Sequence, residues 1–298
     1  MYVWPEIPGL SLQEQSTGDK LKMKQDPRTI LNFDQLIHYS NPFKPLKPSI
    51  EISKFHWVPD KVDKRDYIYK LNAPKTPQSV DLRRYATPVE DQGELGSCTG
   101  NAIAECIELL NSKNQRLVEI SRLFIYYYER LIMGTINYDS GAYIRDGIKA
   151  TNHWGAPLET YWPYNISKFK TQPSQTAIND ALKRKVTRYE RATNFNACID
   201  ALTNGYPVII GFYVYTSFMS NIVARTGMMP YPDVSKESLL GGHAVLLVGY
   251  NNSTQRFIVK NSWGTNWGDR GYFYMPYQVI QNPRMSSDFW VIKGVNNP

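Results

Sequence analysis

The sequence predicts an α+β protein in which a helical half precedes a β half, and three observations carry that expectation. Apolar residues recur at helical spacing through three segments between Ser97 and Thr151. After about residue 194 the pattern changes to short β-branched and aromatic runs separated by turn residues. Residues 1–79 differ from both halves, being rich in proline from Pro5 to Pro77 and poor in periodic stretches.

The N-terminal segment cannot build a core of its own. It offers one short helical stretch, Pro27 to Tyr39, with Ile30, Leu31, Phe33, Leu36 and Ile37 as its apolar stripe. Its aromatics Phe55, Trp57, Tyr67 and Tyr69 favour a segment laid over the domain that follows. We therefore divide the chain into an extension, 1–79, and a domain, 80–298. The extension is expected to lie over that domain.

The domain opens with a helix beginning near Cys98, whose buried face carries Ala102, Ile103, Cys106, Ile107, Leu109 and Leu110. Ser121 can cap a second helix with Leu123, Phe124, Tyr127, Tyr128, Leu131 and Ile132 turned inward. Helical stretches follow at Ala142 to Thr151, Ser174 to Lys185 and Asn196 to Thr203. Strands are expected at Pro207 to Tyr215, His243 to Tyr250, Phe257 to Lys260 and Gly271 to Met275. This places a helical lobe at about 95–190 and a β lobe at about 194–293.

Composition narrows the chemistry. With 42% hydrophobic and 20% charged residues, the 298-residue chain is ordinary globular protein. Its net charge of +7 is scattered, and Lys183-Arg184-Lys185 is best taken as a solvated helix face, so no nucleic-acid partner is expected. Three cysteines (Cys98, Cys106, Cys198) make no disulfide framework and suit a reducing compartment. No run approaches the roughly 18 to 20 apolar residues of a membrane span, and Met1 to Gln15 lacks the pattern of a secretory signal. An intracellular location is therefore expected, compatible with packaging in a virus particle. No P-loop, Cys-x-x-Cys or metal-spaced histidine pair occurs.

Cys98 stands at a helix start, where unpaired N–H groups and the macrodipole favour thiolate, the nucleophilic form. His243 follows Gly242 and opens an apolar run 145 positions later (243 − 98). Asn261 lies 18 residues further on (261 − 243), after a strand and a turn that return the chain beside His243. An Asn amide can accept the imidazole N–H and orient the ring, and the indole of Trp263 would shield that bond from water.

These residues lie in ordered motifs that resemble the papain/cathepsin family of cysteine peptidases from about Val80 to Lys293. The motifs are Val80-Asp81-Leu82-Arg83, Pro88 to Gly93, Gly96-Ser97-Cys98, Gly242-His243-Ala244-Val245 and Asn261-Ser262-Trp263-Gly264, with a fitting tail from Trp267 to Phe273. Trp57-Val58-Pro59-Asp60, Arg65-Asp66-Tyr67, Leu95 to Thr99 and Asp139-Ser140-Gly141 resemble the disulfide-free branch of bacteria, archaea and large DNA viruses.

The resemblance implies a papain-like two-lobed fold, a helical lobe and a β-barrel-like lobe with the active site in the cleft between them. It implies Cys98 as nucleophile, His243 as base and acid, Asn261 as orienter, and Gln92 with the Cys98 N–H as oxyanion hole. Gly141, Gly242 and Trp263 would border the substrate. The partners would be polypeptide substrates, with no membrane span and an oligomeric state left open. The activity implied is that of an endopeptidase working through a thioester with no metal or organic cofactor, and the extension, 1–79, would act as a prosegment or cleft cover. Leu95 replaces a disulfide cysteine of many relatives, and Thr99 replaces the usual aromatic after the nucleophile. A silent peptide-binding protein of the same fold and a Cys–His acyltransferase are the alternatives.

Overall fold

The computed structural model describes residues 55–72 and 75–296. All of them belong to one unit, Ser49–Pro298. The helix expected at Pro27 to Tyr39 lies outside the described residues.

The helical half is built on α1 (Cys98–Lys113), α2 (Arg122–Met133) and α3 (Ile144–His153). Ala102, Ile103, Cys106, Ile107 and Leu109 of α1 are buried as the periodicity requires, but so are Asn101, Glu105, Glu108 and Asn111 on its other faces. A helix covered all round lies inside a protein rather than on its surface. Here α1 packs against α2 and α3 on one side and strands of the sheet on the other. Ser121 caps α2, its side chain accepting from the Phe124 N–H, and Gly134 ends it in the left-handed conformation at φ 73°. Leu95 packs with Leu123, Phe124 and Tyr126 in a smaller cluster beside the main core.

The β half is a seven-stranded antiparallel sheet. Its strands are β1 (Ser79–Asp81), β2 (Val186–Ala192), β3 (Val208–Tyr215), β4 (Leu239–Asn251), β5 (Arg256–Lys260), β6 (Tyr272–Pro276) and β7 (Ser286–Val295). The order is β2-β7-β3-β4-β5-β6, with β1 added along β4. Every pairing is antiparallel. Because β2 belongs to this sheet, the helical half ends near Lys185, somewhat earlier than the expected boundary. Among the described residues, four shorter α-helices follow: α4 (Gln175–Ala181), α5 (Phe195–Thr203), α6 (Asn221–Thr226) and α7 (Tyr277–Gln281).

A buried polar tie joins the two halves. Lys260, at the end of β5, donates to Thr87 Oγ1 and to the Pro88 carbonyl, each at 3.2 Å, and lies 3.6 Å from Glu105 of α1. Thr87 in turn donates to Glu108 of α1. Burial pushes the Glu105 carboxyl up to about 7 against the attraction of Lys260. The helix that carries Cys98 is thus tied to the strand that leads into Asn261. Among the described residues no helix is long and apolar enough to cross a membrane.

Candidate active site

Cys98 is the first residue of α1 and is fully buried. Backbone hydrogen bonds from Ala244, His56 and Thr99 reach its sulfur. The Ala244 contact brings β4 to the thiol with His243 next in sequence. The His243 Nε2 lies 2.8 Å from Asn261 Oδ1, so Nε2 carries the proton and donates it. Its Nδ1 is buried without a hydrogen-bond partner in the protein, leaving that nitrogen for the thiol. Trp263 stacks on the imidazole at 4.9 Å and 26°. Asn261 and Trp263 therefore both lie against the His243 ring.

Gln92 is fully buried beside them. Its Nε2 donates to the Leu95 carbonyl at 2.9 Å, its Oε1 accepts from Ser262 Oγ at 2.7 Å, and its backbone N–H donates to the Ser262 carbonyl at 2.8 Å. Ser262 thus fixes the amide of Gln92 from the β half. Its position inside Asn261-Ser262-Trp263 was the available signal, but which partner its hydroxyl meets depends on chain 170 residues away.

The expected thiolate is not the form this environment favours. Burial pushes the Cys98 thiol up to about 12, helped by the nearby Glu129 carboxyl and opposed by the backbone donors. Burial pushes His243 down to about 4, opposed by its bond to Asn261. A helix N-terminus contributes about 0.3–1 kcal/mol, less than one pKa unit, and cannot offset full burial. Burial thus favours the uncharged form of both thiol and imidazole.

The cover is residues 55–58. The Trp57 N–H donates to the Gly242 carbonyl at 3.0 Å, and the Val58 N–H donates to the Ala142 carbonyl at 3.2 Å. His56 and Trp57 form parallel bridges to Gly242 and Ala142, one wall from each half. Gly141, at φ 65°, has no room for a side chain, since a Cβ there would lie 1.7 Å from the His56 carbonyl oxygen. Phe55 stands edge-on to His243 and Trp263. The Trp57 indole fills the space left by Gly211 and Gly242, where added Cβ atoms would come within 1.9 and 2.6 Å of it, and meets Tyr213 at 5.4 Å. Phe55 and Trp57 are 0% and 1% exposed, so this strap is core, not a loose wrapping. Its aromatics were legible in sequence, whereas Gly141 and Gly242 were expected only to border a substrate, and nothing in the sequence marked Gly211 or Tyr213.

Charged groups anchor the strap beyond the cleft. Asp66 accepts from Arg145 Nε and Nη2 at 3.1 and 2.6 Å and from Arg191 Nη1 at 3.1 Å. The Asp60 N–H donates to Asp288 at 2.6 Å, while the Asp60 carboxylate accepts from Trp290 Nε1 at 2.8 Å and the Arg145 N–H at 3.2 Å. Arg191 Nη2 holds the other Asp288 oxygen at 2.8 Å. Burial, then the Asp60 charge, pushes Asp288 up to about 7. Further along, Tyr69 and the Asn72 N–H both donate to Asp200. Cys98, Cys106 and Cys198 are all free thiols.

Comparison with known proteins identifies the family. Residues 76–290 match the papain family cysteine protease model. An uncharacterized peptidase C1-like protein of Acanthamoeba polyphaga mimivirus is 40% identical over 274 residues, covering 82% of this chain and 88% of that one. Cathepsin K of Gallus gallus is 29% identical over 217 residues, covering 70% of this chain and 61% of that one. Among solved structures, xylellain, a cysteine protease from Xylella fastidiosa, superposes with a TM-score of 0.77 at 39% identity, covering 84% of this chain and 99% of that one. The chain belongs to the papain family of cysteine proteases.

Proposed function

We propose that this protease is an endopeptidase that cleaves polypeptides through a thioester on Cys98 and is restrained by its own strap. In this reading His243 takes the thiol proton through Nδ1 and later returns it to the leaving amine, while Asn261 holds the ring from Nε2. The Gln92 amide and the Cys98 N–H steady the oxyanion, a contribution of about 3 kcal/mol per donor in a water-excluded site. Gly141 and Gly242 offer backbone to an extended chain, and Trp263 keeps water from the His243–Asn261 bond.

The observation that carries the reading is the orientation of His243, with Nε2 spent on Asn261 and Nδ1 left unpaired in a buried site. The strap supports the endopeptidase assignment, because a continuous chain already passes the sulfur with residues on both sides. It also supports restraint: with the cleft covered, neither member of the pair carries the charge that catalysis needs. Lifting the strap rehydrates both groups and allows proton transfer from sulfur to imidazole.

The test is turnover of a peptide library by the full chain, with Cys98→Ala as control and mass spectrometry to locate cuts. Internal cuts that vanish in the control, with an acyl adduct on Cys98 in quenched reactions, are expected. Absence of both from a folded protein, before and after a cut between Asn72 and Ser79, would refute the reading and favour a silent binder. Transfer to an added amine in preference to water would favour the acyltransferase.

A further inference from the structure

Asp139 accepts from the backbone of Gly96, two residues before the nucleophile, and has no part in the chemistry just described. Its two carboxylate oxygens accept from the Gly96 N–H at 3.1 and 3.0 Å, and Tyr126 donates to one of them. Gly96 is two residues before Cys98, so these bonds set the carboxylate at the edge of the cleft, 26% exposed. The strap places a basic side chain there. The His56 Nδ1 is 3.9 Å from Asp139 Oδ2, and the ring lies so close to Gly96 that a Cβ on that glycine would come within 2.1 Å of it. His56 is also the strap residue whose backbone touches the Cys98 sulfur. A substrate residue passing the sulfur at the same place would direct its side chain to the same carboxylate.

We propose that Asp139 is a specificity-determining residue that selects a cationic side chain, lysine or arginine, on the substrate residue whose carbonyl Cys98 attacks. The proposal rests on the peptidase reading above and adds the substrate class to it. Asp139 is built to stay ionised. Burial alone would raise its carboxyl, but His56, Tyr126 and the Gly96 N–H together hold it below the usual carboxylate range. The field of the whole chain works against a general attraction for cations, since the net charge is +7. A preference for lysine would therefore be local in origin.

The test uses the full chain and two peptidyl chloromethyl ketones that differ only in the residue bearing the ketone, lysine in one and norleucine in the other. In each, Cys98 sulfur displaces chloride to form a C–S bond, and the thiol proton passes to His243. Strap opening multiplies both labelling rates alike, so their ratio reports the pocket and not the strap. Lysine is expected to label Cys98 about tenfold faster, in keeping with a partly exposed ion pair, and the ratio should fall toward one in 0.5 M salt. Asp139→Asn keeps an acceptor for Gly96 and Tyr126 and should bring the ratio to about one while norleucine labelling persists. Equal rates in the unaltered protein, or a tenfold ratio that survives Asp139→Asn or high salt, would overturn the proposal. The salt series on the unaltered protein decides the matter even where the variant does not fold. Labelling by neither reagent would instead refute the peptidase reading on which the proposal rests.

Discussion

Replacing Asp66 with alanine should loosen the strap without touching the catalytic groups. Asp66 and Arg145 are each only 7% exposed at their side chains, and a bidentate pair joins them, with Arg191 as a third partner. Removing one member of a buried pair leaves its partner desolvated and uncompensated, which costs about 3 kcal/mol or more. That cost falls on the docked state alone, because lifting the strap lets water reach the arginines. Arg191 retains Asp288, so the low end of the range applies. About 3 kcal/mol corresponds to roughly a hundredfold rise in the open population. Alkylation of Cys98 by iodoacetamide in the full chain, read by peptide mapping, tracks that population when opening is fast relative to labelling. A change of less than about threefold in a folded Asp66→Ala protein would refute the claim that this cluster is the latch.

Three further perturbations separate the parts of the site. Asn261→Ala should lower kcat for peptide cleavage about tenfold to a hundredfold with little change in KM, because the bond lost orients the base rather than the substrate; an unchanged kcat would remove Asn261 from the machinery. Gly211→Val puts branched carbon where the Trp57 indole sits, at a β3 position that accepts valine, so iodoacetamide labelling of Cys98 should rise tenfold or more. No rise would mean that Trp57 contributes little to docking. The Asp60–Asp288 pair supplies a pH dependence. Asp288 is raised in the docked state, so its stabilising contribution is fully present below the ordinary carboxylate pKa of about 4 and is lost as pH rises through about 7. After correction for reagent and thiol ionisation, Cys98 labelling should increase from pH 5 to pH 8. Asp288→Asn, tolerable at φ 58°, should flatten that increase, and a slope unaltered by the substitution would refute the assignment.

The parts of this fold that sequence reveals are those whose cause is local. The period of Ala102, Ile103, Cys106 and Ile107 defines α1, Ser121 caps α2 as its position suggests, and β3 follows from an apolar, β-branched run. Missed elements lacked such signals. Strand β2 reads VTRYERA, with charges at exposed Arg188, buried Glu190 and half-buried Arg191 and a register shift near Arg188, and β7 carries Asp288 at φ 58° next to its apolar run. Helices α6 and α7, six and five residues long, are too short for a period to show. The residues of the site were visible as motifs, but their electrostatic state was not. A helix start suggested thiolate at Cys98, and the burial that opposes this involves chain far away in sequence, His56 on one side and Ala244 on the other. The latch is less legible still, because Asp66 meets Arg191 across 125 residues.

The hold of Asp200 on Asn72 has a kinetic consequence. Asn72 and Ser79, the first residue of β1, are seven positions apart (79 − 72), so the strap is tethered close to the body even when the cleft is open. A short tether holds its segment at an effective concentration of about a millimolar. If the same segment bound in trans with micromolar affinity, the tethered form would remain about a thousandfold more closed than open. Opening by charge or pH is then a transient leak, and each opening ends by recapture. Only scission of the tether lets dilution compete with recapture, so one cut between Asn72 and Ser79 would turn an equilibrium into a commitment.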